Sequence, residues 1–224
     1  TTRPASHAPY DDALRRGILA EAATRLVESG PEKLGLRPLA ASQGTSTTAI
    51  YTMFGGKAGL LAAVAEDADL QLADALRAAL GHDSVESYML ALCRAYRRWA
   101  LEHQGLYGLI VGEPAPTVRG RAGGPGTAWD EGRRRGPHWR EPLLEVVDAL
   151  VDEGIFRSVD VHETATAVWA SLHGIVSLEL SVWRDSPSAE QHFETQLAAI
   201  LRSWAAGGGA DGATAGTGPA ARAV

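Results

Sequence analysis

Residues 35–60 read Gly35-Leu-Arg-Pro-Leu-Ala-Ala-Ser-Gln-Gly44-Thr-Ser-Thr-Thr-Ala-Ile-Tyr51-Thr-Met-Phe54-Gly-Gly-Lys57-Ala-Gly-Leu60. Leu36, Leu39 and Ala40 make the apolar edge of one short helix, and Ile50 and Phe54, four apart, make the edge of the next. Gly44 can take the left-handed conformation that a sharp reversal needs. Ser46 stands where an N-cap would accept a bond from an unpaired amide. Pro38 falls in a first turn, where its missing N–H costs little, so it marks a helix start near Leu36. Two short helices joined in this way form a helix-turn-helix, a motif whose second helix enters the major groove of DNA.

Working outward, Leu14, Ile18, Leu19, Ala22, Ala23 and Leu26 recur at helical spacing, supplying a third helix to cover the pair, and Gly30-Pro31 ends it. Lys57 opens a long helix carrying Leu60, Leu61, Val64, Ala68, Leu72 and Leu76. The order and spacing of Leu-Arg-x-Leu-Ala, Gly-x-Ser, Ala-Ile-Tyr, Phe-Gly-x-Lys and Leu-Leu over roughly residues 12 to 65 resemble the N-terminal domain of the tetracycline-repressor (TetR) family of bacterial transcriptional regulators.

That resemblance implies that Arg37, Ser46, Tyr51 and Lys57 touch backbone phosphates while Thr47, Thr48 and Thr52 face base edges. Independently, the window from Lys33 to Val64 holds basic side chains and no Asp or Glu, although the chain carries a formal charge of −6. The chain departs from the family pattern at Gly35, where Thr or Ser is usual, at Thr47, where the family has a basic or small residue, and at Ala58 and Gly59, where it has acidic ones. Base readout is therefore hydroxyl-rich, and hydroxyls tolerate several bases, so no operator sequence follows.

The chain has 224 residues, of which 45% are hydrophobic, enough for one large or two modest domains. Cys93 is its single cysteine, which excludes an intramolecular disulfide or a Cys-based zinc site, and its apolar helical surroundings read as core. The seven histidines form no HExxH and no close ligand cluster, so neither metal nor cofactor is expected. No run approaches the roughly 20 apolar residues of a membrane span and no signal pattern opens the chain, making the cytoplasm the expected compartment. The chain begins at Thr1 without an initiator Met, an expectation that residues were trimmed or left out upstream.

After the helix-turn-helix the pattern stays helical, predicting an all-α fold of about nine helices. Helices are expected over 84–104 with Ser84 as N-cap, over 106–111, over 139–153 up to Gly154, and weakly over 127–135 after a Pro/Gly-rich loop at 113–126. Arg133, Arg134 and Arg135 read as a solvated helix end. Asp160 and Glu163 form a capping box for a helix running through Val168, Trp169, Leu172, Ile175, Val176, Leu178, Leu180 and Trp183, apolar on most sides. Ser186-Pro187 starts the last helix, with Phe193, Leu197, Ile200, Leu201 and Trp204 in a stripe. The paired stripes over 160–183 and 188–204 predict a four-helix homodimer interface. Trp169 with His173-Gly174 resembles the Trp/His-Gly type of the family's C-terminal domain. The expected division is a DNA-binding domain at 10–56, a regulatory and dimerisation domain at 57–205 and a disordered Gly/Ala/Thr-rich tail at 206–224.

Tyr88, Tyr96, Trp99, Tyr107, Trp129, Trp139, Trp169 and His173 lie on different helices and either line a cavity for a small, largely apolar or aromatic effector or are core and interface aromatics. The ligand-binding candidates are Tyr88, Tyr96, Trp99, Tyr107, Trp169 and His173. His173 reads equally as a ligand anchor or as a buried His bonded to a backbone carbonyl. The expected function is a ligand-responsive regulator, a repressor by the family's habit, that binds palindromic double-stranded operator DNA as a dimer. Of the alternatives, an all-helical enzyme lacks a G-x-S-x-G elbow, a P-loop and a dinucleotide fingerprint, and a DNA-compacting protein conflicts with the acidic charge.

Overall fold

The computed structural model describes residues 8–79, 84–111, 137–157, 160–184 and 186–206, with side chains from residue 12 onward. The expected loop at 113–126, the helix at 127–135 with its arginines and Trp129, and the tail after residue 206 lie outside the described residues.

Among the described residues there are nine helices: α1 (Ala8–Lys33), α2 (Leu36–Ser42), α3 (Thr47–Phe54), α4 (Lys57–Arg77), α5 (Val85–Glu102), α6 (Gln104–Val111), α7 (Arg140–Asp152), α8 (Val161–Ser181) and α9 (Ala189–Trp204). The fold is all-α. No single described helix is long and apolar enough to cross a membrane.

Local chemistry accounts for the ends. Gly30 breaks the regular helix inside α1 with φ 75°, where Pro31 follows. Ser84 Oγ accepts from Ser87 N–H, and Asp160 Oδ1 from Glu163 N–H at 2.8 Å, so both expected caps form. The α9 start is less direct: Ser188 makes no side-chain cap, and Ser186 Oγ instead accepts from Ser188 N–H at 3.3 Å.

One continuous apolar core runs from Ile18 and Leu39 through Leu60, Leu72 and Tyr96 to Val176 and Leu197. Cys93 belongs to it, fully buried, with burial pushing its thiol up to about 12. A charged clamp closes the far side. Arg97 of α5 donates to both carboxylate oxygens of Glu179 on α8, at 2.8 and 2.7 Å, while its guanidinium lies 5.2 Å from the Phe193 ring of α9. Arg94 makes the same bidentate bond to Glu194 of α9. Glu179 is a buried carboxylate on a helix that reads as apolar, and breaking such a pair costs about 3–5 kcal/mol because the remaining charge stays buried.

The last-helix stripe faces inward. Phe193, Leu197 and Ile200 are buried in the protomer's own core, as are Val168, Leu172 and Val176 of α8. A helical stripe reports a buried face without saying which body buries it, and here α8 does so, with Arg97 of α5 laid on Phe193. The outward side of α8 carries Ala167, Ala170, Gly174, Leu178 and Val182, with Leu178 44% and Val182 64% exposed.

Candidate functional site

α2 packs on α3 across a turn in which Gly44 takes φ 61°, and Ser46 Oγ accepts from Ala49 N–H at 3.2 Å to start α3. Ile50 and Phe54 are buried, which leaves the opposite side of α3 to solvent. On that side Thr48 and Thr52 are exposed, with Tyr51 exposed at its flank, while Thr47 lies one turn before Ile50 on the core-facing side and is half-buried; Ser46 and Arg37 are exposed, and Lys57 is half-buried. Of the seven DNA-contact candidates, Thr48, Tyr51 and Thr52 thus share the open surface of α3.

Three of the seven are held in place. Tyr51, 58% exposed, lays its ring against Gly56, where an added Cβ would stand 2.9 Å from Cε1, and Gly56 itself has φ 109°. Lys57 Nζ donates to the carbonyl of Glu32 at 3.1 Å, tying the start of α4 to the end of α1. The Thr52 hydroxyl donates to the Thr48 carbonyl at 3.0 Å and so presents lone pairs outward. Gly59 explains one departure from the family pattern: it sits so close to the Phe54 carbonyl that any Cβ would collide, so α4 approaches the end of α3 more tightly than a side chain would allow.

Sequence reasoning missed Arg15. It is exposed on α1, its guanidinium lies 5.5 Å from the Phe54 ring centre, and it lines a groove against α3 that also holds Asp12, Thr48 and Thr52. The only signal in the chain was Arg15-Arg16 beside the apolar stripe of α1, which reads as an ordinary solvated face.

The sequence pattern of the family described as "Bacterial regulatory proteins, tetR family" matches residues 18–64, and that of "Tetracyclin repressor-like, C-terminal domain" matches residues 89–210, more than half the chain. The chain belongs to the TetR family. This is a family of regulators and not of enzymes. Among solved structures, a protein from Rhodococcus sp. RHA1 is 26% identical with a TM-score of 0.70, covering 91% of this chain and 100% of its own. The TetR family transcriptional regulator PfmR from Thermus thermophilus is 25% identical with a TM-score of 0.58, covering 83% and 97%. The HTH-type transcriptional regulator Rv1816 from Mycobacterium tuberculosis is 30% identical over 95 residues, a match spanning 41% of this chain and 41% of that relative's length.

In the C-terminal part of this TetR-family chain the aromatic candidates divide. Tyr96 of α5, Tyr107 of α6 and Trp169 and His173 of α8 converge, joined by Trp139 at the entry to α7. Trp169 Nε1 donates to Tyr96 Oη at 3.3 Å, the Tyr96 and Tyr107 hydroxyls are 3.2 Å apart, Tyr107 Oη lies 2.7 Å from His173 Nδ1, and His173 Nε2 lies 3.5 Å from Ser177 Oγ. Trp169 is sandwiched between His173, stacked at 5.4 Å, and Trp139 at 5.2 Å. Trp99 and Tyr88 are not brought into this network. Trp99 stacks on His103 at 4.8 Å, and the Tyr88 hydroxyl is buried without a partner among the described residues, in the field of Glu145 and Arg77.

The partners of His173 are thus the side chains of Tyr107 and Ser177, in place of the backbone carbonyl that a buried His on this helix can take. Burial raises the Tyr96 and Tyr107 hydroxyls above the ordinary phenol value and lowers His173 below the ordinary imidazole value, so the cluster is neutral at pH 7. With His173 neutral and protonated on Nε2, one ordering satisfies every donor: Trp169 to Tyr96, Tyr96 to Tyr107, Tyr107 to His173, and His173 to Ser177.

α6 connects this cluster to the DNA-binding end. At its start Gly105 lies against the backbone of α1, where a Cβ would stand 2.8 Å from Val27 Cα. This glycine provides a close approach of α6 to α1. α6 also packs on α4, so Tyr107 sits on the element that touches both α1 and α4.

Proposed function

We propose that this protein is a ligand-responsive transcriptional regulator that binds palindromic DNA as a homodimer, with residues 10–56 as the DNA-binding domain and 57–205 as the regulatory and dimerisation domain. The observation carrying this reading is α3, whose Thr48, Tyr51 and Thr52 stand exposed away from the buried Ile50 and Phe54 in an acid-free window of an acidic chain. Arg37, Ser46, Tyr51 and Lys57 take the phosphate roles and Thr47, Thr48 and Thr52 the base edges. Ser46 and Thr52 already spend one bond each on α3, so they offer fewer directions than free hydroxyls.

In a dimer, two α3 helices about 34–36 Å apart meet successive major-groove faces of a palindrome. The outer side of α8, with Ala167, Ala170, Gly174, Leu178 and Val182, supports it as the dimer face: small residues admit a close helix approach and two exposed apolar side chains seek cover. The effector is assigned to the half-buried edge of the Trp169–His173 stack, where an apolar or aromatic molecule would part the rings and His173 or a Tyr hydroxyl would anchor it. Displacing Tyr107 would move α6 against α1 and α4. A differential affinity of roughly 1–3 kcal/mol between the two conformations changes DNA affinity 5- to 150-fold. Repression is the proposed sign of control.

Selection of bound fragments from a random duplex library tests the reading. A palindromic consensus is expected. Lys57→Ala should weaken binding to all sequences and flatten the salt dependence, and Thr48→Ala should change the preferred bases. Binding without sequence preference, or none at all, overturns it.

A further inference from the structure

The groove between the N-terminal half of α1 and α3 has a volume of about 340 Å³ and is lined by Asp12, Leu14 and Arg15 on one side and Thr48, Ala49, Thr52 and Met53 on the other. Its α3 wall holds two threonines on the side of α3 turned away from the core. Anything that brings a DNA strand to Thr48 and Thr52 brings it to this groove.

Arg15 is the single cation among the lining residues. Its guanidinium rests 5.5 Å from the centre of the Phe54 ring, and Phe54 is only 9% exposed, so the cation is seated on a fixed surface and loses less freedom on binding than a free arginine would. The exposed Asp12 lies on the same wall and repels a phosphate, so only a strand placed at the Arg15 end of the groove is favoured.

We propose that Arg15 is a phosphate contact that sets the register of α3, with the sugar-phosphate backbone of the strand read by Thr48 and Thr52 occupying the groove and Asp12 acting as an electrostatic stop. This rests on the DNA-binding reading above. It adds an anchor from α1, outside the helix-turn-helix, on the opposite side of the groove from the base-reading threonines.

The test is titration of the full chain with two labelled duplexes, one selected from a random library by the wild-type protein and one unselected, over a range of salt. Arg15→Met keeps an apolar chain on Phe54 and removes the charge. It should weaken binding to both duplexes by about tenfold at low salt and reduce the slope of log affinity against log salt by about one unit. Arg15→Lys should keep the slope, and Asp12→Asn should tighten binding to both duplexes. An Arg15→Met protein with wild-type slope, whether its affinity is unchanged or uniformly lowered, overturns the proposal, as does Asp12→Asn binding no tighter than wild type. A wild-type chain that selects no duplex at any salt overturns the DNA-binding reading itself, which keeps the two failures distinct.

Discussion

The Asp69 carboxylate of α4 caps α7: Oδ2 accepts from His138 N–H at 2.9 Å and lies 2.9 Å from His138 Nδ1, while Oδ1 accepts from Trp139 N–H at 3.3 Å. An N-cap is normally supplied by the residue just before its helix, but here it comes from 69 residues earlier. The bond fastens α4, whose first turn is locked to α3, to the residue that packs its ring on Trp169 and Tyr96. Asp69→Ala should therefore cost about 1–2 kcal/mol of stability, and Asp69→Asn, which keeps an acceptor oxygen, should cost less. Urea unfolding of the three proteins measures both values, and equal midpoints would show that the cap carries no stability.

The two glycines of α6 should respond oppositely. Gly105→Ala drives a Cβ into the backbone of α1 and should destabilise the protein by about 1–3 kcal/mol. Gly108 is exposed, with nothing within 4 Å of an added Cβ, so Gly108→Ala should be neutral or stabilise by about 0.5–1 kcal/mol. Thermal melts that move the same way for both would contradict the close approach of α6 to α1.

Acidification should loosen the aromatic network. Burial depresses His173 below its ordinary value of 6.5, so in the window beneath 6.5 the unfolded chain binds the proton that the folded one refuses. This contribution is complete above 6.5 and is lost as pH falls toward the folded value. Protonation also makes both imidazole nitrogens donors, so the Tyr107 hydroxyl turns to donate to Tyr96, whose oxygen then accepts from both Trp169 N–H and Tyr107 while its own hydrogen loses its acceptor. The expected result is a melting temperature that drops more steeply between about pH 7.5 and pH 5.5 for wild type than for His173→Asn. Parallel pH profiles would exclude His173 as the source.

Charge on the outer side of α8 should separate subunits without unfolding them. Leu178→Lys with Val182→Lys touches residues that are 44% and 64% exposed and should give folded monomers in sedimentation, against the dimer expected of wild type. Leu197→Asp places a charge at a position that is 1% exposed and should unfold the chain, with loss of helical circular dichroism. A folded, monomeric Leu197→Asp protein would return the interface to α9.

Local chemistry made much of this molecule legible in the chain. The Gly44 turn, the Ser46, Ser84 and Asp160 caps, the stop at Gly154 and the buried stripe of α4 each depend on residues within one or two turns of one another, so their spacing carries the information. The same holds for the α3 surface, because burying Ile50 and Phe54 leaves Thr48, Tyr51 and Thr52 on the other side.

Only the tertiary structure decided which body covers each apolar stripe and which distant groups meet. Periodicity says that Leu197 is buried but not that α8 of the same protomer, in place of a second subunit, packs over it. It says that α8 is apolar but not that Glu179 on it answers Arg97, 82 positions earlier. The helical pattern puts Tyr88, Tyr96, Trp99, Tyr107, Trp169 and His173 on different helices without saying which of them meet. The structure joins Tyr96, Tyr107, Trp169 and His173 where α5, α6 and α8 meet, and sends Trp99 and Tyr88 to different neighbours. The Asp69 cap and the Arg15 seat on Phe54 have no local signature, since each pairs residues whose separation along the chain reflects how helices pack and not how any one helix forms.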